Sequence, residues 1–293
     1  MNSKLVTLRA LSPLHCGTGQ GVGGIDLPIA RERPTRLPIV PGSSVKGVLR
    51  AETASDADKH EAAFGPNTDN ASEFAGAVQF SDLNLVFLPM RSLRGTFVYV
   101  TGPYTLRRLL RDAREAGVKL SAADTFAESP AAGPNALVTS EAATIAKQQV
   151  VIEDLDFKAA ISDTLGSLAK AIAPWFFADE ADQAHFAARV CLVHDDAMSV
   201  LSQIGTEVFQ RNRLDPGTRT VQQGALWSEE ALPVESLLAG LVVATPVHRG
   251  QDRTAHSRKE LLDYVAGLMA RPVQIGGKAS VGRGLSQLRV AGS

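Results

Sequence analysis

Cysteine is nearly absent: there are two in 293 residues, Cys16 and Cys191, with neither CxxC spacing nor a clustered histidine partner. That excludes a disulfide framework and a structural zinc site, and it makes a reducing cytoplasm the expected compartment. Aromatic residues are only 5%, too few for a bank of side chains on which successive bases could stack. No run of about eighteen apolar residues occurs, so no membrane span is expected. The opening residues, MNSKLVTLRALSPL, lack a basic segment followed by an unbroken apolar core and do not read as a signal peptide. A surplus of positive charge is missing too. Lys and Arg total 30 against 31 Asp and Glu, a net charge of −1, which counts against a simple nucleic-acid binder with a broadly basic surface.

What is present is ordinary for a globular chain: 44% apolar and 21% charged residues. The length fits one elaborated domain or two modest ones. Charge is segregated along the chain. Residues 1–50 carry Lys4, Arg9, Arg31, Arg33, Arg36, Lys46 and Arg50 against Asp26 and Glu32. Residues 271–293 carry Arg271, Lys278, Arg283 and Arg289 and no acid, while 51–90 is acidic. One face could therefore be positive while the whole is neutral; ordinary surface variation is the alternative.

Periodicity predicts an α+β fold. Residues 4–11, 77–88 and 96–101 read as strands, 43–53 as a short helix opened by serines suited to an N-cap, and 104–116 as an amphipathic helix. That order is most of a ferredoxin-like βαββαβ unit. Residues 118–147 read as irregular connection, 149–157 as a strand, 158–172 and 179–190 as helices separated by Pro174, and 195–205 as a helix. Two extended arms over 206–226 are joined by Asp215-Pro216-Gly217, a hairpin signal. A buried strand (237–245), a helix (257–270) and strands at 272–276 and 285–290 follow.

Gly19-Gln20-Gly21-Val22-Gly23-Gly24 matches GxGxxG after a strand. A dinucleotide site needs a helix opening at the third glycine, and Pro28 resists one here. Pro41-Gly42-Ser43-Ser44-Val45-Lys46-Gly47-Val48-Leu49-Arg50 is a better anion site, with Lys46 and Arg50 on one face of a helix that opens with two hydroxyls. They either grip successive phosphates or are two solvated cations. Gly276–Gly284 could form an anion-holding nest flanked by Lys278 and Arg283, or a flexible hairpin tip. His15, beside the first glycine loop, could act as acid or base or be packed. Glu229 and Glu230 could help bind a metal or lie on a solvated face. His194-Asp195-Asp196 invites a metal reading, yet Asp there suits a helix cap. His248, Arg249, Arg253, His256 and Arg258 form a cationic stretch suited to RNA or a neighbouring subunit.

Together, Gly17-Thr18-Gly19 to Asp26-Leu27-Pro28-Ile29, Arg31-Glu32, the Pro41–Arg50 segment and the terminal Gly276–Gly284 loop resemble the RAMP superfamily of CRISPR proteins. Further matches at Phe80-Ser81-Asp82, Pro89–Leu93, Val151–Leu155, Arg211–Asp215 and Gly224–Pro233 make the chain look most like the backbone-subunit family of the type III-B (Cmr) complexes. The resemblance implies one elaborated domain: a modified RNA-recognition-motif palm (1–116 plus 237–293), insertions over 117–205, and a protruding thumb hairpin at 206–226. It implies copies polymerised along guide CRISPR RNA, contact with other Cmr subunits, and cleavage of complementary target RNA at regular intervals. The family's catalytic aspartate falls on Asp26, with His15 and Glu230 as secondary candidates. Asp26 would also hold a divalent metal, Mg²⁺ by expectation. RNA-binding residues would include Ser43, Ser44, Lys46, Arg50, Arg211, Arg213, Gly276, Gly277, Lys278 and Arg283. Two other functions stay open: a non-catalytic RNA-binding assembly subunit, and a guide-processing ribonuclease with His15 as base.

Overall fold

Alternation along Asn2–Ala10 (β1) gives a strand with an apolar residue for each of two cores. In the computed structural model, which describes residues 2–21, 23–66, 73–119, 126–145, 148–246 and 255–292, Val6, Leu8 and Ala10 enter one core and Leu5 the other. The chain continues through β2 (Ile39–Val40), α1 (Gly42–Ala51), α2 (Ala57–Phe64), β3 (Val78–Phe80), β4 (Leu83–Arg91), β5 (Phe97–Thr101) and α3 (Pro103–Glu115). Then come β6 (Asn135–Val138), β7 (Gln149–Ile152), β8 (Leu155–Ile161), α4 (Asp163–Phe176), α5 (Glu180–Ala187), β9 (Val190–Val193) and α6 (Asp195–Ile204). Last are β10 (Glu207–Leu214), β11 (Val221–Ala231), β12 (Leu237–Ala244), α7 (Arg258–Leu268), β13 (Val273–Gln274) and β14 (Leu285–Val290).

The fold is mixed α+β. Twelve strands form one sheet along the path β13-β14-β1-β12-β4-β5-β9-β6-β8-β7, with β2 on β4 and β3 on β12. β1 is antiparallel to both β12 and β14, and β12 to β4, whereas β5–β9 and β6–β8 are parallel. Helices α1, α2 and α7 cover one face, bringing Val45, Leu49, Phe64, Leu261 and Val265 to the core that holds Val6 and Leu8. Helices α3, α4 and α5 cover the other, where Leu106, Leu165, Ile172 and Phe186 meet Leu5 and Phe87. Covered on both faces, β4 reads as a nearly continuous apolar run. Hairpin β10–β11 forms a separate two-stranded sheet. No helix among the described residues is long and apolar enough to cross a membrane.

Several sequence expectations are corrected. The strand–helix–strand–strand–helix run does not lie side by side, because β12 sits between β1 and β4. The strand expected over 77–88 breaks at Ser81-Asp82 into β3 and β4, and the supposed connection 118–147 contains β6, too short for its alternation to stand out. The strand at 149–157 is a hairpin turning at Glu153, whose φ is 52°. Residues 158–161 belong to β8; α4 starts at Asp163, capped by Ser162, and runs through Pro174, which costs hydrogen bonding only in the last turn. The end of the expected helix 179–190 is strand β9. Ser43 and Ser44 do not cap α1: Pro41 occupies the cap, and the Gly42 N–H donates to Asp82 Oδ1 at 2.9 Å.

The second core is held by aromatic packing. Phe186, fully buried, lies 5.0 Å from both Phe87 and Tyr99 and 5.3 Å from Phe177 between ring centroids. Phe186→Ala is expected to lower unfolding free energy by about 3–5 kcal/mol. Leu226→Ala, at a hairpin position 66% exposed, should stay within about 0.5 kcal/mol. Urea denaturation of the two variants checks the contrast.

Candidate active site

Beyond β1 the glycine-rich segment doubles back on itself. Leu14 exchanges two backbone hydrogen bonds with Leu232, Ala30 N–H donates to Cys16 O, Thr18 N–H to Pro28 O and Gly21 N–H to Asp26 O. Gly17 is required at the turn-in, because a Cβ there would lie 2.6 Å from His15 Nε2. The return arm runs along β11: Leu27 N–H donates to Ser228 O and Glu230 N–H to Leu27 O, both at 3.0 Å. No helix follows the glycines, in agreement with the rejected dinucleotide motif.

This seam fixes Asp26. Its Oδ2 accepts from both the N–H and the hydroxyl of Ser228 at 2.8 Å, and its own N–H donates to Ser228 Oγ at 2.9 Å. Asp26 is exposed. The Ser228 N–H, and then its hydroxyl, hold the carboxyl below the usual carboxylate range. Asp26 lines a cleft of about 470 Å³ together with Gln20, Gly21, Leu27, Arg213, Trp227 and Lys278. The site therefore pairs an ionised carboxylate with two cationic side chains at one cavity.

The opposite wall comes from the terminal glycine loop. Gly276, at φ 80°, passes so close that a Cβ would lie 2.3 Å from His15 O. Gly277 N–H donates to His15 O and Gly284 N–H to Pro13 O, each at 2.9 Å. The loop is thus anchored and is not a free hairpin tip. Its N–H groups at 277 and 281–284 donate to carbonyls of the chain. Lys278 Nζ donates to Glu229 Oε1 at 2.8 Å, and Arg283, 8% exposed, stacks on Phe209 with its guanidinium carbon 3.5 Å from the ring centroid.

Glu229 and Glu230 are 3% exposed and do not form a solvated face. Burial works to raise the Glu229 pKa, but the Lys278 and Trp227 hydrogen bonds and the charges of Lys278 and Arg211 outweigh it, and the net shift is downward. Glu230 accepts from Arg31 Nη2 at 2.6 Å, from Thr206 Oγ1 at 2.9 Å and from Ile29 N–H at 3.0 Å. It is a buried structural partner. His15 is buried as well, with Nδ1 2.6 Å from Glu230 O. A carbonyl only accepts, so Nδ1 carries the proton in that contact.

The helix α1 set does not join the cleft. Ser43 is exposed, Lys46 Nζ donates to Val78 O at 2.9 Å and Arg50 to Pro66 O. Burial, then the Arg50 charge, lowers the Lys46 pKa. Arg211 faces Trp227 across the hairpin, 3.9 Å from Glu229 Oε2. His194 itself caps α6 by accepting from Asp196 N–H, and Asp195 accepts from Tyr104 N–H at the start of α3. His248, Arg249 and Arg253 lie outside the described residues; His256 contacts Asp58. Ser228 and Trp227 are the residues sequence reasoning passed over as functional. Their signal was slight: a serine and a tryptophan next to two acids on a strand.

Among the described residues no group of three or more His, Cys, Asp or Glu could hold a metal ion. Among the described residues, Asp26 is the only carboxylate lining its cleft. Its hard oxygen donor fits a cation of the Mg²⁺ kind, which keeps several waters and takes phosphate oxygens as further ligands.

A mixed sheet with helices on both faces, an isolated hairpin and an aspartate pinned at the hairpin base define the molecule. The chain belongs to the RAMP superfamily, whose family model matches residues 7–287. Within it the chain is similar to the CRISPR system Cmr endoribonuclease Cmr4 of Pyrococcus furiosus, 36% identical over 290 residues, covering 97% of this chain and 94% of the relative. It also superposes on the crystal structure of oligomeric Cmr4 from Pyrococcus furiosus with a TM-score of 0.74 at 30% identity, covering 99% and 98% of the two chains. A chain in the cryo-EM structure of the type III-B Cmr-beta complex bound to cognate target RNA shares the fold, with a TM-score of 0.74 at 19% identity and coverage of 98% and 96%.

The Arg31–Glu230 pair separates support from chemistry. Arg31→Met leaves a buried carboxylate uncompensated and is expected to cost about 3–5 kcal/mol of stability. Denaturant titration should show that loss with no RNA present; unchanged stability would remove Glu230 from its structural role.

Proposed function

We propose that this chain is an endoribonuclease that builds the repeating backbone of a type III-B Cmr complex and cuts the target RNA bound there. The likeness to the Cmr endoribonuclease of Pyrococcus furiosus extends over nearly all of both chains, and an oligomeric form of that relative supports polymerisation. The observation that carries the reading is Asp26, held ionised in one cleft with Arg213 and Lys278. The partners in this reading are guide CRISPR RNA, complementary target RNA, further copies of the chain and other Cmr subunits, in the cytoplasm.

The palm of this reading is ferredoxin-like, with its two halves separated in sequence. β1-α1-β4 and β12-α7-β14 interleave as β14-β1-β12-β4, all antiparallel. This agrees with a single domain whose palm core spans 1–116 plus 237–293, with insertions over 117–205. Hairpin β10–β11 is the thumb, and its second strand runs past 226 to Ala231.

Arg213 and Lys278 would hold a scissile phosphate, and the strand would be fixed so that a ribose 2′-OH attacks in line. Asp26 would accept a hydrogen bond from that hydroxyl. A carboxylate with a depressed pKa is a weak base, so its part is chiefly electrostatic. A bound divalent cation, Mg²⁺ in this reading, would neutralise charge developing on the phosphoryl oxygens. A guide-processing role with His15 as base finds no support, because its ring is buried against Glu230 O.

Asp26→Asn should leave RNA binding intact and reduce cutting at every interval together by about two orders of magnitude or more. Chelation of divalent metal should act likewise. Ends bearing 2′,3′-cyclic phosphate and 5′-hydroxyl are expected; a 5′-phosphate would point to attack by water. Because the Asp26 pKa is lowered, its charge is complete above the ordinary carboxylate range and fades only below it. The pH–rate profile should therefore show no acidic limb from Asp26 between about pH 5 and 8. Undiminished cutting by the Asn variant would leave a non-catalytic assembly subunit as the function.

Val208, Leu214, Val221 and Leu226 are each about half exposed or more, so the hairpin adds little to the core. Shortening it around Pro216 should give a folded chain that fails to keep register on guide RNA. Gel analysis of the assembled complex checks this: unchanged cutting intervals would refute it.

A further inference from the structure

Among the described residues, Trp227 is the one aromatic residue lining the Asp26 cleft. It is partly exposed, whereas the only other tryptophan, Trp175, is 6% exposed within α4. Its indole Nε1–H donates to Glu229 Oε1 at 2.7 Å. Lys278 Nζ donates to that same oxygen at 2.8 Å and lies 6.0 Å from the ring centroid. No aromatic ring stacks on Trp227 among the described residues. Glu229 is itself 3% exposed; its other oxygen has no hydrogen-bond partner and lies 3.9 Å from Arg211 Nε.

A buried carboxylate is costly, and packing alone would be served as well by an apolar residue. What a carboxylate supplies here is direction. One oxygen fixes both the indole and the ammonium that wall the cleft. Lys278 is also set by its backbone, held at φ 67°.

We propose that Trp227 is a stacking platform for one nucleobase of the RNA beside Asp26, with Glu229 as the positioning residue that holds it. The inference rests on the endoribonuclease reading above. A cleft of about 470 Å³ is within the size of small-molecule sites and accommodates a base. Every base has a π-face, so such a subsite accepts any sequence. Clamping the base also fixes the attached ribose, which is what in-line attack by its 2′-OH demands. The 5% aromatic content rules out a bank of stacking residues within one chain. One ring per copy is sufficient where each copy makes one cut.

The test uses the assembled wild-type complex and target RNAs carrying one abasic ribose, placed on the 5′ side of a single cut site in one target and on the 3′ side in another. One placement is expected to slow that cut by roughly five- to a hundredfold, the scale of one lost base stack, with the other cuts unchanged. A non-complementary base at that position cannot pair but keeps its π-face, and should be cut at the unmodified rate. On unmodified target, Trp227→Phe should retain most of the rate and Trp227→Leu should reproduce the abasic defect. Equal cutting of both abasic targets overturns the inference alone. So does a non-complementary base as slow as the abasic one, since that identifies pairing as the cause. An unmodified target left uncut overturns the endoribonuclease reading and this inference with it.

Discussion

The carboxylate of Glu230 joins three segments that are distant in sequence. It takes the guanidinium of Arg31, the hydroxyl of Thr206 and the N–H of Ile29 within a site 3% exposed. Arg31 also donates to the carbonyls of Arg36 and Ser202, which ties the same point to the loop before β2 and the end of α6. Because a buried charge without its partner is several kcal/mol less stable, the return arm of the glycine loop has one position on β11. Asp26 lies three residues before Ile29, whose N–H the Glu230 carboxylate accepts, and inherits that position. The exposed acid is precise in placement because a buried acid nearby is satisfied.

Strand periodicity then divides the work on β11. Successive side chains point to opposite faces, so Ser228 and Glu230 share one face while Trp227 and Glu229 share the other. The first pair serves the return arm: Ser228 binds Asp26, and Glu230 binds Ile29 and Arg31. The second pair serves the terminal loop through Lys278. One strand at the hairpin base thereby brings the two glycine segments, some 250 residues apart in sequence, to opposite walls of one cleft. Shifting β11 by one residue would exchange the two sets.

The local pieces were legible where the code is local. Leu106, Leu109 and Leu110 on one face gave α3, and Asp215-Pro216-Gly217 gave the hairpin turn. Asp26 and Arg213 were named through the family resemblance, and Lys278 from its glycine loop, before their meeting could be seen. What could not be read depends on long-range pairing. β12 separates β1 from β4, and no pattern inside either strand specifies that neighbour. β6 and β9, four residues each, are too short for periodicity and are ordered by the sheet around them. The acids at 229 and 230 looked like solvent-facing charge because their partners, Arg31 and Lys278, come from the two ends of the chain.

Charge shows the same lesson and bears on how such a chain could hold RNA. The basic surplus of the two ends suggested a positive face, yet part of it is paired within the chain. Lys4 pairs with Asp263, Arg9 with Asp182 and Glu235, and Arg31 with Glu230. With a net charge of −1, a single copy carries no overall positive charge to draw it to phosphate. Affinity for a polyanion grows with the number of phosphates neutralised. A chain with few contacts per copy reaches high affinity by repeating, since copies held side by side on one strand bind as linked sites. Under the proposed function, near-neutrality suits a protein that acts as a polymer and would otherwise repel its own neighbours.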